Sequence, residues 1–216
     1  MSSGQTRVLG ERTYERLYRE ILGGDHTPGA PLRPQAIADR LGVSLAVVRE
    51  ALTRLSGDGL VERHTNRGFT VPQASDERWQ ELARARCLLE PIMLRDAVER
   101  GDLDWESRVV AAHHRLAVTP IGTEAGGHVS EEWSAAHAQF HRTLIEGCGN
   151  TVLLGIFDRL WQASELARRW SVDISADRDI AGEHEQLMRS ACDRDADRAR
   201  HLLCDHILRT VRRLQP

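Results

Sequence analysis

The segment Leu41-Gly42-Val43-Ser44-Leu45-Ala46-Val47-Val48-Arg49-Glu50-Ala51-Leu52-Thr53-Arg54-Leu55, continued by Gly59-Leu60-Val61, decides how the front of the chain is read. Gly42 is placed to stop one helix, since glycine takes the left-handed conformation of a helix end without steric cost. Ser44 offers a hydroxyl to cap the next helix. Val48, Ala51, Leu52 and Leu55 then recur at i, i+3, i+4 and i+7, the spacing of one buried helical face. Positions 45, 46, 49 and 53 fall on the opposite side. Gly57 and Gly59 close the helix.

Upstream of this segment the chain repeats the helical pattern twice. Tyr14, Leu17, Tyr18, Ile21 and Leu22 predict an amphipathic helix over about Arg12 to Leu22, broken by Gly23, Gly24, Pro28 and Gly29. Pro34 suits the first turn of a short second helix, where its missing N–H costs nothing, with Ile37, Ala38 and Leu41 inward. Downstream, Leu60–His64 and Phe69–Val71 flank Thr65-Asn66-Arg67-Gly68 and predict a hairpin, ended by Pro72. Helix, helix, turn, helix, hairpin within about 60 residues is the order of a winged helix-turn-helix.

The string from Leu41 to Leu55 with Gly59-Leu60-Val61 resembles the DNA-binding domain of GntR-type bacterial transcription regulators, over about residues 12–73. That resemblance implies that the helix from Ser44 enters the major groove of double-stranded operator DNA, a groove about 12 Å wide that admits a helix. Arg49 would then reach guanine or a phosphate. The Ser44 hydroxyl, with the backbone N–H groups of the helix start, would bond a phosphate. Leu45, Ala46 and Thr53 share the outward face, Arg33 and Gln35 lie at the second helix, and Asn66, Arg67 and Gly68 form the wing tip; all are candidate DNA contacts. Two departures stand out. Relatives usually carry Arg where this chain has Leu45, and the fatty-acid-responsive branch carries an Arg where this chain has Gln35. Leu45 donates no hydrogen bond, so the operator cannot be copied from relatives.

From Ser75 onward the pattern is helical throughout. Helices are expected near 76–100, 103–118, 130–146, 151–170, 179–194 and 195–213, interrupted at Thr119–Val129 and Ser171–Arg178. Asn150 and Asp195 stand where N-caps belong. The expected fold is mainly α: a winged helix-turn-helix over 1–74, then an all-α six-helix bundle over 75–216.

The histidines of the bundle are patterned. His137 and His141 lie on the apolar stripe Trp133, Ala136, Phe140, Leu144; His184 lies on Ile180, Leu187, Met188, Ala191; His206 lies on Ala199, Leu202, Leu203, Ile207, Val211. Four imidazoles thus point inward from three helices. Buried without partners they would cost several kcal/mol of desolvation, and a shared metal ion would satisfy them. His201 falls off its stripe, and His113 or His114 is placed to line the pocket.

The back half resembles the FCD ligand-binding domain, in its shorter, vanillate-regulator type. The resembling pieces are Arg86-x-x-Leu89-Glu90-Pro91, His137-x-x-Phe140-His141-x-x-Leu144, Gly149-Asn150-x-x-Leu153-Leu154, Glu183-His184 and Arg194-Asp195 through His206. The resemblance implies a divalent metal held by His141, His184 and His206, with His137 standing where many such domains carry Asp. An all-imidazole set suits a transition metal, Zn or Ni above all, and its positive charge favours an anionic ligand. Alternatively His137 turns away and three histidines bind. Arg86 stands where similar domains hold a ligand carboxylate; the other reading of it is a salt bridge within the bundle.

Charge and composition set the outer bounds. Residues 1–75 carry ten arginines against eight acidic residues, and the rest nineteen against twenty-four; lysine is absent. The modest split permits a DNA-facing front half without relying on bulk basicity. Cysteines 87, 148, 192 and 204 form no C-x-x-C pair and read as reduced thiols. No run approaches 18 apolar residues and the N-terminus lacks a signal-peptide core, so a cytoplasmic protein without membrane contact is expected. The expected function is transcription regulation, with repression the default, by a homodimer that responds to a small organic acid. The competing readings are a regulator whose effector is the metal ion itself, and a metalloenzyme; the latter lacks a general base, because Glu183 and Glu185 should point away from His184.

Overall fold

The computed structural model describes residues 3–65, 68–122, 130–170 and 178–212. The chain divides into two compact units, Met1–Ser75 with Gln162–Trp170, and Asp76–Trp161 with Ser171–Pro216. The fold is mainly helical, a winged helix-turn-helix followed by a helical domain.

The first unit holds α1 (Ser3–Leu22), β1 (Pro31–Leu32), α2 (Pro34–Leu41), α3 (Leu45–Gly57), β2 (Glu62–His64) and β3 (Gly68–Thr70). Pro34 opens α2, and Gly42 ends it in the left-handed conformation at φ 65°. The Ser44 hydroxyl accepts from the Val47 N–H at 3.4 Å and so starts α3. Val48, Ala51, Leu52 and Leu55 are fully buried against Leu17 and Ile21 of α1, and Leu166 joins this core. The helix α1 begins nine residues earlier than the apolar spacing indicated. The strand β1 had no signature either: two residues carry no periodicity. It pairs antiparallel with β3, Leu32 opposite Phe69, in the sheet order β1-β3-β2.

The second unit holds α4 (Asp76–Arg100), α5 (Leu103–Val118), α6 (Glu131–Glu146), α7 (Thr151–Trp170, whose last nine residues group with the first unit), α8 (Ile180–Cys192) and α9 (Ala196–Arg212). Short polar residues set the starts. Asp102, Ser130, Asp179 and Asp195 accept from the N–H groups of Trp105, Trp133, Gly182 and Arg198, and Asn150 accepts from Val152 and Leu153. Arg194, at φ 59°, follows α8 and donates to the carbonyls of Val98, in the last turn of α4, and Gly101, just past its end. None of the described helices is long and apolar enough to cross a membrane.

Trp105 anchors this bundle. Its indole N–H donates to the Thr143 carbonyl at 2.9 Å, and Gly101 and Gly147 lie against the ring where a Cβ would collide. Trp105→Ala is expected to destabilise the protein by about 3–5 kcal/mol, read by urea unfolding followed by circular dichroism. An unchanged midpoint would show that the ring is not the keystone of α5 and α6.

Candidate metal centre and DNA-binding face

The helix α3 sorts its residues as a groove-reading helix must. Val47, Val48, Ala51, Leu52 and Leu55 are buried, while Leu45, Ala46, Arg49 and Thr53 are exposed. Ser44 spends its oxygen on the helix cap, and Thr53 donates to the Arg49 carbonyl at 2.7 Å. Arg33 is exposed just before α2; Gln35, the second residue of that helix, donates to Asp39. Gly68 opens β3 at φ 85°, whereas Asn66 and Arg67 lie outside the described residues.

The arginines of this unit divide into two groups. Arg40 grips Glu20 with two bonds of 2.7 Å, and Arg54 pairs with Glu11 while its guanidinium lies 4.2 Å from the Tyr14 ring. Held by Arg40 and Arg16 against the cost of burial, Glu20 titrates down at about 2. Among the described residues no ion pair engages Arg33, Arg49 or Arg63, the last on the wing strand β2 and overlooked in the sequence.

In the bundle, α6 presents His137 and His141 one turn apart, α8 presents His184 and α9 presents His206. All four are buried, and one ligand nitrogen from each lies within 4.8 Å of the others. The His141 Nε2 and His184 Nε2 are 3.3 Å apart. Two imidazoles sharing a tetrahedral ion at Zn–N of about 2.0–2.1 Å would place their nitrogens about 3.4 Å apart, so this pair has the spacing, and the set of four has the chemistry, of a transition-metal site. Aromatic rings wall the cluster. Trp133 stacks on His137 at 4.6 Å, Trp161 lies 5.2 Å from His137 and 5.0 Å from His141, and Phe140 lies edge-on to His141 and His184.

Burial also sets the protonation of the ligands. It pushes His184 well below the usual imidazole range, and the neighbouring His206 adds to this. Burial likewise lowers His206, partly offset by its hydrogen bond to Glu183. Neutral imidazoles are what metal ligation requires. His113 packs edge-on against Phe140 at 5.6 Å, and its pKa too is lowered by burial; His201 is exposed.

Two neighbours were not readable as partners in the sequence. Glu183 turns its carboxylate to His206 Nδ1, at 2.8 Å, and Arg178 and Arg209 bind the same carboxylate. Nothing in the spacing of α8 reveals a contact that α9 completes. Arg86 forms a fork with the fully buried Glu90, at 2.5 and 3.1 Å, and its guanidinium lies 4.9 Å from the Trp161 ring. It is therefore a bundle salt bridge beside the histidine wall, with Nε and Nη2 already engaged.

Comparison with known proteins follows the same division. The gntR family of bacterial regulatory proteins matches residues 9–71, and the FCD domain matches residues 81–209. BphR, an HTH-type transcriptional regulator of Paraburkholderia xenovorans (strain LB400), is 35% identical over 203 residues, spanning 93% of this chain and 83% of the relative. GlaR, an HTH-type transcriptional repressor of Escherichia coli (strain K12), is 27% identical over 203 residues, spanning 92% of each. Among solved structures, E. coli McbR/YncC shares the fold at a TM-score of 0.74 with 22% identity, over 99% of this chain and 98% of that one. A GntR-type chain from Rhodococcus sp. RHA1 shares it at 0.73 with 23% identity, over 95% and 96%. The named relatives are regulators, and the metalloenzyme reading finds no support in them.

The lowered histidines give a pH dependence with a definite sign. Their folded pKa values lie below the unfolded value of about 6.5, so between the two the unfolded chain binds more protons and stability rises with pH. Metal-free protein is expected to keep full stability above that value and to lose it as pH falls from about 6.5. Thermal unfolding of chelator-treated protein from pH 8 to 5 reads this; a melting temperature flat across the window would contradict the burial of neutral imidazoles.

Proposed function

Since the chain belongs to the GntR family of bacterial transcription regulators and carries an FCD domain behind its winged helix, we propose that it is a homodimeric repressor controlled by a small carboxylate. The carboxylate binds at, or beside, a divalent transition metal held by His137, His141, His184 and His206, with Zn or Ni the preferred ion. The observation that carries this reading is the convergence of four buried ring nitrogens within 4.8 Å in the FCD unit. Repression is supported by relatives named as repressors, GlaR among them. The place of action is the cytoplasm, on double-stranded operator DNA.

On this reading, Arg49 contacts base edges or phosphate, with Leu45, Ala46 and Thr53 beside it in the major groove. Ser44, Arg33, Gln35 and the wing residues Asn66, Arg67 and Gly68 meet the backbone or the minor groove. Leu45 can offer a thymine methyl only apolar contact. A single recognition helix reads too few bases, and a twofold dimer reads two half-sites. Arg86, its Nε and Nη2 held by Glu90, has Nη1 left to orient the effector carboxylate beside Trp161. The ion supplies Lewis acidity toward an anionic effector; the neutral imidazoles add no negative charge to compete with it. Control of DNA binding requires that the effector bind one arrangement of the bundle more tightly than the other.

A second reading has an observation of its own. Four imidazoles can fill a tetrahedral shell, and the 3.3 Å separation of His141 and His184 suits one; a closed shell would make the ion itself the effector.

Arg49→Ala is expected to weaken binding to an operator selected from random DNA by about 1–3 kcal/mol, roughly five- to a hundred-and-fifty-fold, at physiological salt. Unchanged anisotropy titrations would remove Arg49 from the interface. A thermal-shift screen of carboxylic acids on Zn- or Ni-loaded protein tests the effector: a true ligand at 100 times its Kd stabilises by about 2.7 kcal/mol. If no acid shifts melting or DNA affinity while free Zn or Ni alone changes DNA affinity, the ion-sensing reading replaces the carboxylate one.

A further inference from the structure

Resting on the metal reading above, we propose that Glu183 is a positioning residue for the centre: it fixes the ring tautomer of His206 and supplies the negative charge that the all-histidine ligand set lacks. The geometry is specific. His206 turns Nδ1 to Glu183 Oε2 at 2.8 Å. Arg178 Nη2 lies 3.2 Å from the same nitrogen, but its two hydrogens go to Glu183 Oε2 and the His206 carbonyl, so Nδ1 directs a proton at the carboxylate, because two facing lone pairs would repel. The lone pair of His206 is thereby placed on Nε2, the nitrogen that serves as the metal ligand.

The carboxylate is itself held from two elements. Arg178, just before α8, donates Nε to Oε1 at 2.9 Å and Nη2 to Oε2 at 2.5 Å, and Arg209 of α9 reaches Oε1 at 3.2 Å. Arg178 is tied to α9 as well, through Thr210 Oγ1 at 3.0 Å and the His206 carbonyl at 3.1 Å. One turn of α8 therefore supplies a ligand, His184, and the adjacent residue that orients a second ligand on α9.

The charge matters as much as the bond. Arg86 and Glu90 pair with each other, and Arg178 Nη2 lies 3.2 Å from Nδ1 of His206. Without Glu183, that guanidinium would stand unneutralised beside a ligand of a divalent cation. Loss of an outer carboxylate on a metal-bound histidine costs about ten- to a hundredfold in metal affinity.

The test uses the full chain, Zn as the probe and a chromophoric chelator in competition. Wild type is expected to take up one equivalent, and Glu183→Gln to bind about ten- to a hundredfold more weakly while keeping the wild-type circular dichroism spectrum. If wild type binds no Zn, the metal reading itself fails. If wild type binds and Glu183→Gln binds equally tightly, the role of Glu183 is overturned and the metal reading stands. Should the variant not fold, long-range ¹H–¹⁵N correlation on wild-type protein with ¹⁵N-histidine decides. His206 is expected to show a protonated Nδ1 and an unprotonated Nε2, both with and without Zn; the opposite tautomer overturns the proposal.

Discussion

Bringing four imidazoles to one point inside a helical bundle requires that their ring nitrogens be satisfied without bulk water. The packing of α6, α8 and α9 answers to that requirement. Trp133, Phe140 and Trp161 surround the cluster, while the Glu183 carboxylate lies 2.8 Å from Nδ1 of His206. Burial keeps His184 and His206 neutral, which suits them to a cation and unsuits them to acid. The four clustered nitrogens could hold a shared ion, and the proposed function is built on that.

The charge arrangement around the cluster bears on the anionic effector proposed for it, since the ligand set itself is neutral. Each nearby carboxylate is answered by a guanidinium: Glu90 by Arg86, and Glu183 by Arg178 and Arg209. The surplus is positive before any metal is added. In the winged unit the same device works differently. Glu20 and Glu11 engage Arg40 and Arg54, and the proposed DNA contacts rest on a few placed arginines on α3, on the wing and before α2.

Much of the fold was legible because its signals are local. Gly42, Ser44, Pro34, Asn150 and Asp195 mark helix ends by their own chemistry, and the stripes through His141, His184 and His206 place those rings inward by periodicity alone. What escaped was set by tertiary pairing. The strand β1 exists because Leu32 meets Phe69, and the helix α1 extends back through residues with no apolar repeat. Glu183 was expected to point away from His184, and it finds its role on His206, a helix away. Arg86 had two readings in the sequence, and only the position of Glu90 one turn later, fully buried, shows how its fork is used.

The central claim is that the buried histidines hold one transition-metal ion per chain. Native mass spectrometry of the intact protein, stripped by chelator and then reloaded with Zn or Ni, measures this directly. The account predicts a mass increase of one ion for every chain, abolished when His141, His184 and His206 are replaced together by alanine. A reloaded protein with the mass of the bare polypeptide, or a triple variant that loads as fully as wild type, would contradict it.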